Sequence, residues 1–421
     1  MGIINLSEIK PGMVLAADLS NDDGRFLLRK GSKVASKDIR IFKMWGVIEA
    51  DIKGVTQNDV EEKVISHLEP AIVEAVEKKV RKHFVHTNLE DPVIYELFRC
   101  CKIRTVKAIK TKDSVEILNM QDLTSSNEIE DTIVEGTAPP VNPVELIQQD
   151  INLPTLPTVF MQINDTIQNP TSSAIDIAKV IGNDINLSAK LLKIVNSAFY
   201  GFPNKIDTLT RAVTILGTRQ LSTLAMGINI LTAFDNIPDC LIDMKSFWMH
   251  SIACGTISRI IANYQGFQNT ERLFLAGLIH DIGRLVLYNY TPINARNAIQ
   301  KAKNNDRLLY ELEHETMNCD HTTIGAVLLK KWKLPKSLEN AVRYHHSPKN
   351  SRDPLEPAIV HLADIMTIAL GIGSSGERLV PPLEPEAWKC IGLSPNILPL
   401  MIDQLDNQLE EILRVFNLNE S

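Results

Sequence analysis

From about Ile151 to the end of the chain, apolar residues recur at the three- and four-residue spacing of amphipathic helices. Strict alternation of apolar and polar residues, the pattern of a half-buried strand, is nearly absent there. Short connections with glycine or proline separate the periodic segments, which cover residues 173–181, 186–199, 209–216, 218–234, 246–264, 270–288, 306–315, 321–332, 335–345 and 356–370. The pattern predicts an all-helical domain over residues 151–421 and a fold that is mainly α.

The N-terminal third of the chain has a different pattern. Residues 1–55 combine short apolar stretches, such as MVLAADL and FLLRKG, with a turn-rich SNDDG segment, which predicts a small β-rich module. Residues 56–125 carry apolar residues at spacing four and predict a helical segment, which is either a dimerisation layer or a helix packed on its own domain. Residues 126–150 are polar, contain two adjacent prolines and are typical of a linker.

Charge and composition exclude several classes of protein. The formal net charge is −7 and no long basic run offsets it, which argues against direct binding of nucleic acid. The chain shows neither a signal peptide nor an apolar run of the roughly 18–20 residues that a membrane span needs. The 6 cysteines form no C-x-x-C pair and are expected to be reduced thiols. These features predict a cytoplasmic protein without a membrane segment.

Histidines concentrate in the second half of the chain, where 7 of the 10 lie between His250 and His361. The segment LFLAGLIHDIGRLVLY places His280 and Asp281 inside what reads as one apolar helix. A buried carboxylate beside an imidazole is costly unless it is paired or bound to a metal. Two interpretations remain open at this point: hydrogen bonding within the protein, or a metal site.

Other predicted helices supply further ligands of the same chemical type. These candidates are His250, His321, His345, His346 and Asp364. A mixed set of imidazole and carboxylate ligands suits iron, manganese or zinc, and a carboxylate shared between two ions is a feature of hydrolytic binuclear sites. The sequence therefore predicts a divalent metal, with a binuclear site as one arrangement.

Several longer motifs resemble a known family. The run LPTLPTVFMQINDTIQNP, the segment ending in NSAFYG and the segment IDTLTRAVTILG resemble the opening half of HDOD domains, a branch of the HD superfamily used in bacterial signalling. The segments CDHTTIGAVLLKKWKLP and VRYHHSP resemble the closing half, so the resemblance covers about residues 151–370. It implies an all-helical fold and a regulatory or scaffolding role through protein partners in signalling, with a homodimer and a nucleotide ligand as further options. Compared with the related HD-GYP phosphodiesterases, the seven His and Asp candidates match metal ligands in order.

The sequence also departs from the catalytic relatives. Arg284 stands where they carry a lysine three residues after the His-Asp pair, which leaves it as a candidate phosphate contact. The Gly-Tyr-Pro signature after the paired histidines is missing, and Ser246 is not the carboxylate that completes a third metal site in some relatives. The preferred hypothesis is a non-catalytic signalling protein that holds a metal. The alternatives are a metal-dependent phosphohydrolase for nucleotides or cyclic dinucleotides, and a di-iron sensor of redox state or oxygen.

Two polar residues have local roles that the sequence predicts. Asp320 directly precedes a helical segment and is expected to cap it, which would also hold His321 at a fixed angle. Asn196 is expected to bind backbone groups at a helix end rather than a ligand. His314 and His361 are expected to make local contacts.

Overall fold

The computed structural model describes residues 2–20, 26–44, 47, 49–54, 70–111, 142, 145, 158–169, 171–202, 204–231, 234, 237 and 241–418. The chain forms two compact units, one of residues 1–121 with 393–404 and the other of residues 122–392 with 405–421. Most of the predicted linker, residues 126–150, lies outside the described residues, as does the first part of the predicted helical segment.

The first unit contains a small amount of β-structure followed by helices. Strand β1 (Gly2–Asn5) pairs antiparallel with β4 (Glu49–Ile52), and β2 (Leu19–Ser20) pairs antiparallel with β3 (Phe26–Leu28). Its helices are α1 (Ser36–Met44), α2 (Pro70–His83) and α3 (Pro92–Thr111), of which α2 and α3 pack on each other. The prediction of a β-containing N-terminal part and a helical segment is confirmed.

The second unit is built from helices. They are α4 (Thr158–Gln168), α5 (Ala174–Gly182), α6 (Ile185–Val195), α7 (Leu209–Leu216), α8 (Thr218–Leu231), α9 (Met244–Tyr264), α10 (Thr270–Ile279), α11 (Ile282–Tyr290), α12 (Pro292–Asn305), α13 (Leu309–Met317), α14 (His321–Lys331), α15 (Lys336–Tyr344), α16 (Leu355–Ala369) and α17 (Pro385–Ile391). The last helix, α18 (Leu398–Val415), contributes residues to both units. The prediction of a mainly α fold is confirmed. None of the described helices is both long enough and apolar enough to cross a membrane.

Helix α9 is the central helix of the second unit. It is buried along nearly its whole length, from Phe247 to Ala262, and packs against α10 and α16. A helix that is apolar on all sides has to be surrounded by other helices, because no face of it is suited to water. Its first turn is capped by the side chain of Asp243, which accepts hydrogen bonds from the backbone of Lys245 and Ser246. One polar residue in this buried helix is His250.

The predicted single helix over residues 270–288 is wrong, because two helices occupy this segment. Helix α10 ends at Ile279 and α11 begins at Ile282, with His280 and Asp281 between them. Asp281 has φ −96° and ψ 9°, and its carbonyl accepts a short-range hydrogen bond from Arg284. No glycine or proline lies between the two helices, and apolar residues continue on both sides, so the sequence pattern did not reveal the break.

Both predicted local roles are confirmed. The Asn196 amide donates to the carbonyls of Leu192 and Ile206 at 2.7 Å each, and its oxygen accepts from the Ile206 backbone at 2.7 Å. These bonds tie the end of α6 to the segment before α7. Asp320 caps α14 by accepting from the backbone of Thr323 at 2.8 Å, so His321 begins that helix as expected.

Candidate metal centre

The seven predicted ligand residues come together in the second unit. His250 comes from α9, and His280 with Asp281 forms the break between α10 and α11. His321 begins α14, the pair His345–His346 follows α15, and Asp364 lies within α16. We call these seven residues the His/Asp cluster. Every member except His346 is at most 3% exposed, so the protein encloses the cluster almost completely.

The ligand atoms of the cluster fall into two groups that share one residue. His250, His280, Asp281 and Asp364 form the first group, and Asp281, His321, His345 and His346 form the second. Within each group the ligand atoms lie within 4.8 Å of one another. Such spacing is compatible with one cation per group. Asp281 belongs to both groups, as a carboxylate between two ions would.

Distances in the first group show side chains converging on a common point. The Nε2 atoms of His250 and His280 lie 3.2 and 3.4 Å from Asp364 Oδ1. The two Nε2 atoms are 3.3 Å apart, and His280 Nε2 is 3.3 Å from Asp281 Oδ2. The first group therefore faces Oδ2 of the shared aspartate.

The second group faces the other oxygen of Asp281. His321 Nε2 lies 2.9 Å and His345 Nε2 lies 3.8 Å from Asp281 Oδ1. His321 Nε2 is also 3.3 Å from His345 Nε2 and 3.2 Å from His346 Nε2. The carboxylate of Asp281 thus turns one oxygen toward each group.

Hydrogen bonds on the far side of three rings set their orientation. His280 Nδ1 lies 2.7 Å from the Gly277 carbonyl, and His345 Nδ1 lies 2.8 Å from the Val342 carbonyl. His321 Nδ1 lies 2.5 Å from Glu313 Oε2. All three partners are acceptors only, so Nδ1 carries a proton, and when the ring is neutral its lone pair lies on Nε2 inside the cluster. That is the state in which a histidine binds a metal.

Unpaired polar atoms in the cluster supply a test of whether a cation fits. Asp281 Oδ1, Asp364 Oδ1 and His250 Nδ1 are buried and have no hydrogen-bond partner among the described residues. Buried carboxylate oxygens without partners are costly, and a bound cation would offset that cost. The donor set is imidazole nitrogen and carboxylate oxygen, which suits a divalent transition metal. The residues present therefore fit a metal.

The protonation states of the cluster follow from burial and from neighbouring charge. Burial and the nearby rings of His280 and His321 lower the pKa of His345 to about 3, and burial holds the pKa of His346 well below its ordinary value. Burial raises the pKa of Asp281, but the charge of Arg284 and the adjacent histidines hold it well below its usual range. Although burial lowers it, the nearby carboxylates raise the pKa of His321 to about 9 and hold that of His280 above its ordinary value. The neutral rings of His345 and His346 can bind a cation directly, whereas a cation at His280 and His321 would displace a proton.

A second layer of polar residues surrounds the cluster. Arg284, 1% exposed, donates from Nε to Glu313 Oε1 at 3.0 Å and from Nη1 to Asp281 Oδ2 at 3.1 Å. Its Nη1 also donates to Ser375 Oγ at 2.7 Å, in the loop that follows α16. Tyr288 donates to the carbonyl of the same Ser375 at 2.9 Å. Arg284 thus holds the shared aspartate within the protein, and its role as a phosphate contact stays a prediction.

Sequence reasoning did not identify Glu313 and Ser375. A signal for Glu313 was present, because it lies on the same helical face as the apolar residues Leu309, Leu312 and Met317. An acid on an apolar face needs a buried partner. Ser375 carried no such signal, since it lies in a glycine-rich loop 91 positions from Arg284.

His346 is the half-buried member of the cluster. Its ring stacks on Tyr310 with ring centroids 4.2 Å apart and an angle of 15° between the planes. Two further histidines of this region lie outside the cluster: His361 Nε2 accepts from the backbone of Glu384 at 3.2 Å, and His314 is exposed.

Comparison with known proteins supports the fold. The family model for the HDOD domain matches residues 153–348. A Treponema pallidum (strain Nichols) protein is 27% identical over 234 residues, which are 55% of this chain and 45% of that protein, so the match spans less than half of the relative.

Solved structures with the same fold include an HDOD domain protein from Geobacter sulfurreducens. It is 21% identical, covers 66% of this chain and 99% of its own, and gives a TM-score of 0.54. A candidate phosphohydrolase from Shewanella amazonensis SB2B is 21% identical, covers 64% and 97% of the two chains, and gives a TM-score of 0.52. At this level of identity the likeness shows the fold alone. Residues 153–348 match the family model for the HDOD domain, and the solved structures share the fold of this part of the chain.

Proposed function

We propose that the protein is a bacterial signal-transduction protein that acts through contacts with other proteins and holds a divalent metal in its His/Asp cluster. The observation that carries the proposal is the enclosure of the cluster. Six of its seven residues are at most 3% exposed, and two of the three guanidinium nitrogens of Arg284 are hydrogen-bonded within the protein. A phosphodiester substrate needs an open metal position and cationic groups that face it. An enclosed centre is better suited to a structural or sensing role.

The metal would connect five separate parts of the second unit. His250, His280 with Asp281, His321, the His345–His346 pair and Asp364 would hold it, as one ion per group. Iron, manganese and zinc are the candidate metals because the ligands combine imidazole and carboxylate. Binding of the metal would stabilise the folded state, since the same ligands are far apart in the unfolded chain.

Signalling by this chain is proposed to take place in the cytoplasm, with protein partners and without direct binding of nucleic acid. Cys254, Cys319 and Cys390 of the second unit are free thiols, in agreement with a reducing compartment. The net charge of −7 supports protein partners over nucleic acid. A homodimer through the N-terminal helical segment and a nucleotide ligand are further elements of the proposal.

One observation favours the second candidate function, a metal-dependent phosphohydrolase acting on nucleotides or cyclic dinucleotides. The two oxygens of Asp281 face different ligand groups, with His280 Nε2 3.3 Å from Oδ2 and His321 Nε2 2.9 Å from Oδ1. A carboxylate shared in this way is typical of binuclear hydrolytic sites, in which the ions polarise phosphate and activate water.

Metal analysis combined with a hydrolysis assay separates the two functions. Elemental analysis of the untagged protein is expected to find bound metal, up to one ion per ligand group, in the wild type and none in an Asp281→Ala/His321→Ala double variant. An exposed histidine outside the cluster gives the matched control, His314→Ala, which should retain the metal. Hydrolysis of cyclic dinucleotides and bis(p-nitrophenyl) phosphate should stay at background for all three proteins.

Each alternative outcome has a definite meaning. Metal-dependent hydrolysis that the double variant loses would establish the phosphohydrolase and overturn the non-catalytic proposal. A wild type without metal would overturn the metal centre and leave a signalling protein with a polar core. An absorption band in the visible range of the fresh protein would indicate a di-iron site.

A further inference from the structure

Glu313 is a buried carboxylate that lies beside the His/Asp cluster without belonging to it. It is 2% exposed and lies in α13, one helical turn after Leu309 and one before Met317. An apolar residue would fit this position of the helix. Burying a charged glutamate there costs free energy unless its carboxylate is paired.

Both carboxylate oxygens of Glu313 have defined partners. Oε2 accepts from the backbone N–H of His321 at 3.0 Å and from its Nδ1 at 2.5 Å. Oε1 accepts from Nε of Arg284 at 3.0 Å. The backbone N–H of His321 belongs to the first turn of α14, where no carbonyl of the helix can accept it. Glu313 thus fixes both the backbone and the ring of one residue.

The direction of these bonds decides which ring nitrogen is available inside the cluster. An ionised carboxylate is only an acceptor, so it requires a proton on Nδ1 of His321. The neutral ring then presents a lone pair at Nε2, which lies 2.9 Å from Asp281 Oδ1. The opposite tautomer would place an N–H in the cluster and an unprotonated Nδ1 against the carboxylate.

Glu313 also reaches the shared aspartate through one intermediate. Arg284 donates from Nε to Glu313 and from Nη1 to Asp281 Oδ2 at 3.1 Å. Removing the carboxylate would leave the buried guanidinium with one of these two counter-charges. Glu313 therefore orients two ligands: His321 directly, and Asp281, which both ligand groups share, through Arg284.

We propose that Glu313 is the positioning residue of the centre, which selects the ligand tautomer of His321 and, through Arg284, orients Asp281. The inference rests on the proposed metal-binding function. Its central element, the proton on Nδ1 of His321, can nevertheless be observed in the metal-free protein. Carboxylate groups behind metal-bound histidines raise the basicity of the ring and fix its direction. A merely structural ion pair between Glu313 and Arg284 would have no effect on the ring proton.

The matched variants are Glu313→Gln and Glu311→Gln. Both residues lie in α13, but Glu311 pairs with Arg307 near the surface and its side chain is 40% exposed. The amide that Glu313→Gln introduces has one donor and one acceptor end. Turning its oxygen to His321 would set its N–H₂ against the Nε donor of Arg284. Turning its N–H₂ to His321 avoids that contact and removes the proton from Nδ1, so the variant no longer requires a proton there.

The first measurement is the imidazole ¹⁵N–¹H correlation spectrum of the metal-free proteins. In the wild type and in Glu311→Gln, we expect a protected proton on Nδ1 of His321, assigned by its loss in His321→Gln. In Glu313→Gln, this resonance should disappear or split between the two nitrogens. A wild-type spectrum without a proton on Nδ1 would overturn the inference even if the Glu313→Gln variant did not fold.

The second measurement is the affinity for Zn²⁺, by competition with a chromophoric chelator. Loss of a carboxylate behind a histidine ligand typically costs about 10- to 100-fold in metal affinity, and we expect that loss for Glu313→Gln. Glu311→Gln should equal the wild type. Equal Zn²⁺ affinity of all three proteins, with an unchanged Nδ1 proton, would overturn the inference and leave the proposed function standing. A wild type that binds no Zn²⁺ but shows the Nδ1 proton lost in Glu313→Gln would overturn the metal function and retain the tautomer assignment.

Discussion

Glu377 is a buried carboxylate whose ionised form is disfavoured by its surroundings. Burial raises the pKa of Glu377 to about 7, although the charge of Arg284 and three backbone N–H groups favour ionisation. The N–H donors belong to Leu309, Arg378 and Leu379, at 2.7, 3.0 and 3.3 Å. The folded protein thus keeps a proton on Glu377 at a pH where the unfolded chain has lost it.

The raised pKa predicts a pH-dependent loss of stability. Because the folded state binds this proton up to about pH 7 and the unfolded state releases it near the ordinary value of 4.5, stability falls as the pH rises between these values. The full effect is on the order of 3 kcal/mol. A Glu377→Gln variant cannot titrate at this position, so relative to the wild type it should gain stability between about pH 5 and about pH 8. Denaturant unfolding at the two pH values measures the free energy of unfolding of both proteins. A difference between the two proteins that is the same at both pH values would contradict the prediction.

At the residue scale, the sequence was most informative where chemistry and burial conflict. His280, Asp281 and Asp364 stand out because ionisable side chains interrupt apolar segments, and the structure brings all seven predicted ligands together. Their identity as metal ligands stays a prediction. The residues that hydrogen-bond around these ligands could not be predicted as well. Ser375 contacts Arg284 because a loop 91 positions further along the chain folds back onto α11.

At the level of helices, the position of His321 depends on a close approach between α11 and α14. Gly283 in α11 lies directly against the backbone of α14: a Cβ atom placed on it would collide with the carbonyl of His321 and lie 2.8 Å from the nitrogen of Gly325. Backbone atoms cannot move aside as a flexible side chain can, so a methyl group here must separate the two helices.

Substitution of Gly283 by alanine is therefore expected to destabilise the protein by about 1–3 kcal/mol and to weaken metal binding, because His321 would move relative to Asp281. The matched control is Gly182→Ala at the end of α5, where the added Cβ meets only Leu209 at an ordinary 3.9 Å. That substitution should be neutral or slightly stabilising. Thermal unfolding and elemental analysis give both readouts, and equal stability of the two variants would show that α11 and α14 tolerate a wider spacing.

Helices were predicted well where an apolar stripe had clear end signals. Helix α7 was predicted to the residue, and α14 was predicted to begin at His321 behind its Asp320 cap. The predictions failed where such signals were missing. Helix α12 is rich in polar residues and was not predicted, and no glycine or proline between α10 and α11 marks the break at His280.

At the scale of the whole molecule, a bound metal would connect segments that are more than one hundred residues apart in sequence, from His250 to Asp364. Without the ion, carboxylate oxygens of Asp281 and Asp364 remain buried without hydrogen-bond partners among the described residues. Anything that binds the folded state and not the unfolded one raises the apparent stability.

Removal of the metal by a chelator is thus expected to lower the unfolding temperature of the second unit, and readdition should restore it. Differential scanning calorimetry measures the shift. The Asp281→Ala/His321→Ala variant is the control, since a protein without the centre should not respond to the chelator. A wild type whose transition is unaffected by chelation would show that the fold does not depend on the cluster.

The enclosure of the His/Asp cluster has a consequence for the time course of metal exchange. Six of the seven residues are at most 3% exposed and the seventh stacks on Tyr310, so an ion could leave only when the packing around the cluster opens. Release would then be limited by this local opening rather than by the strength of the coordination bonds. A centre of this kind exchanges its ion slowly compared with an open site. Loss to a chelator would then proceed at the rate of the opening, and a higher chelator concentration would not accelerate it.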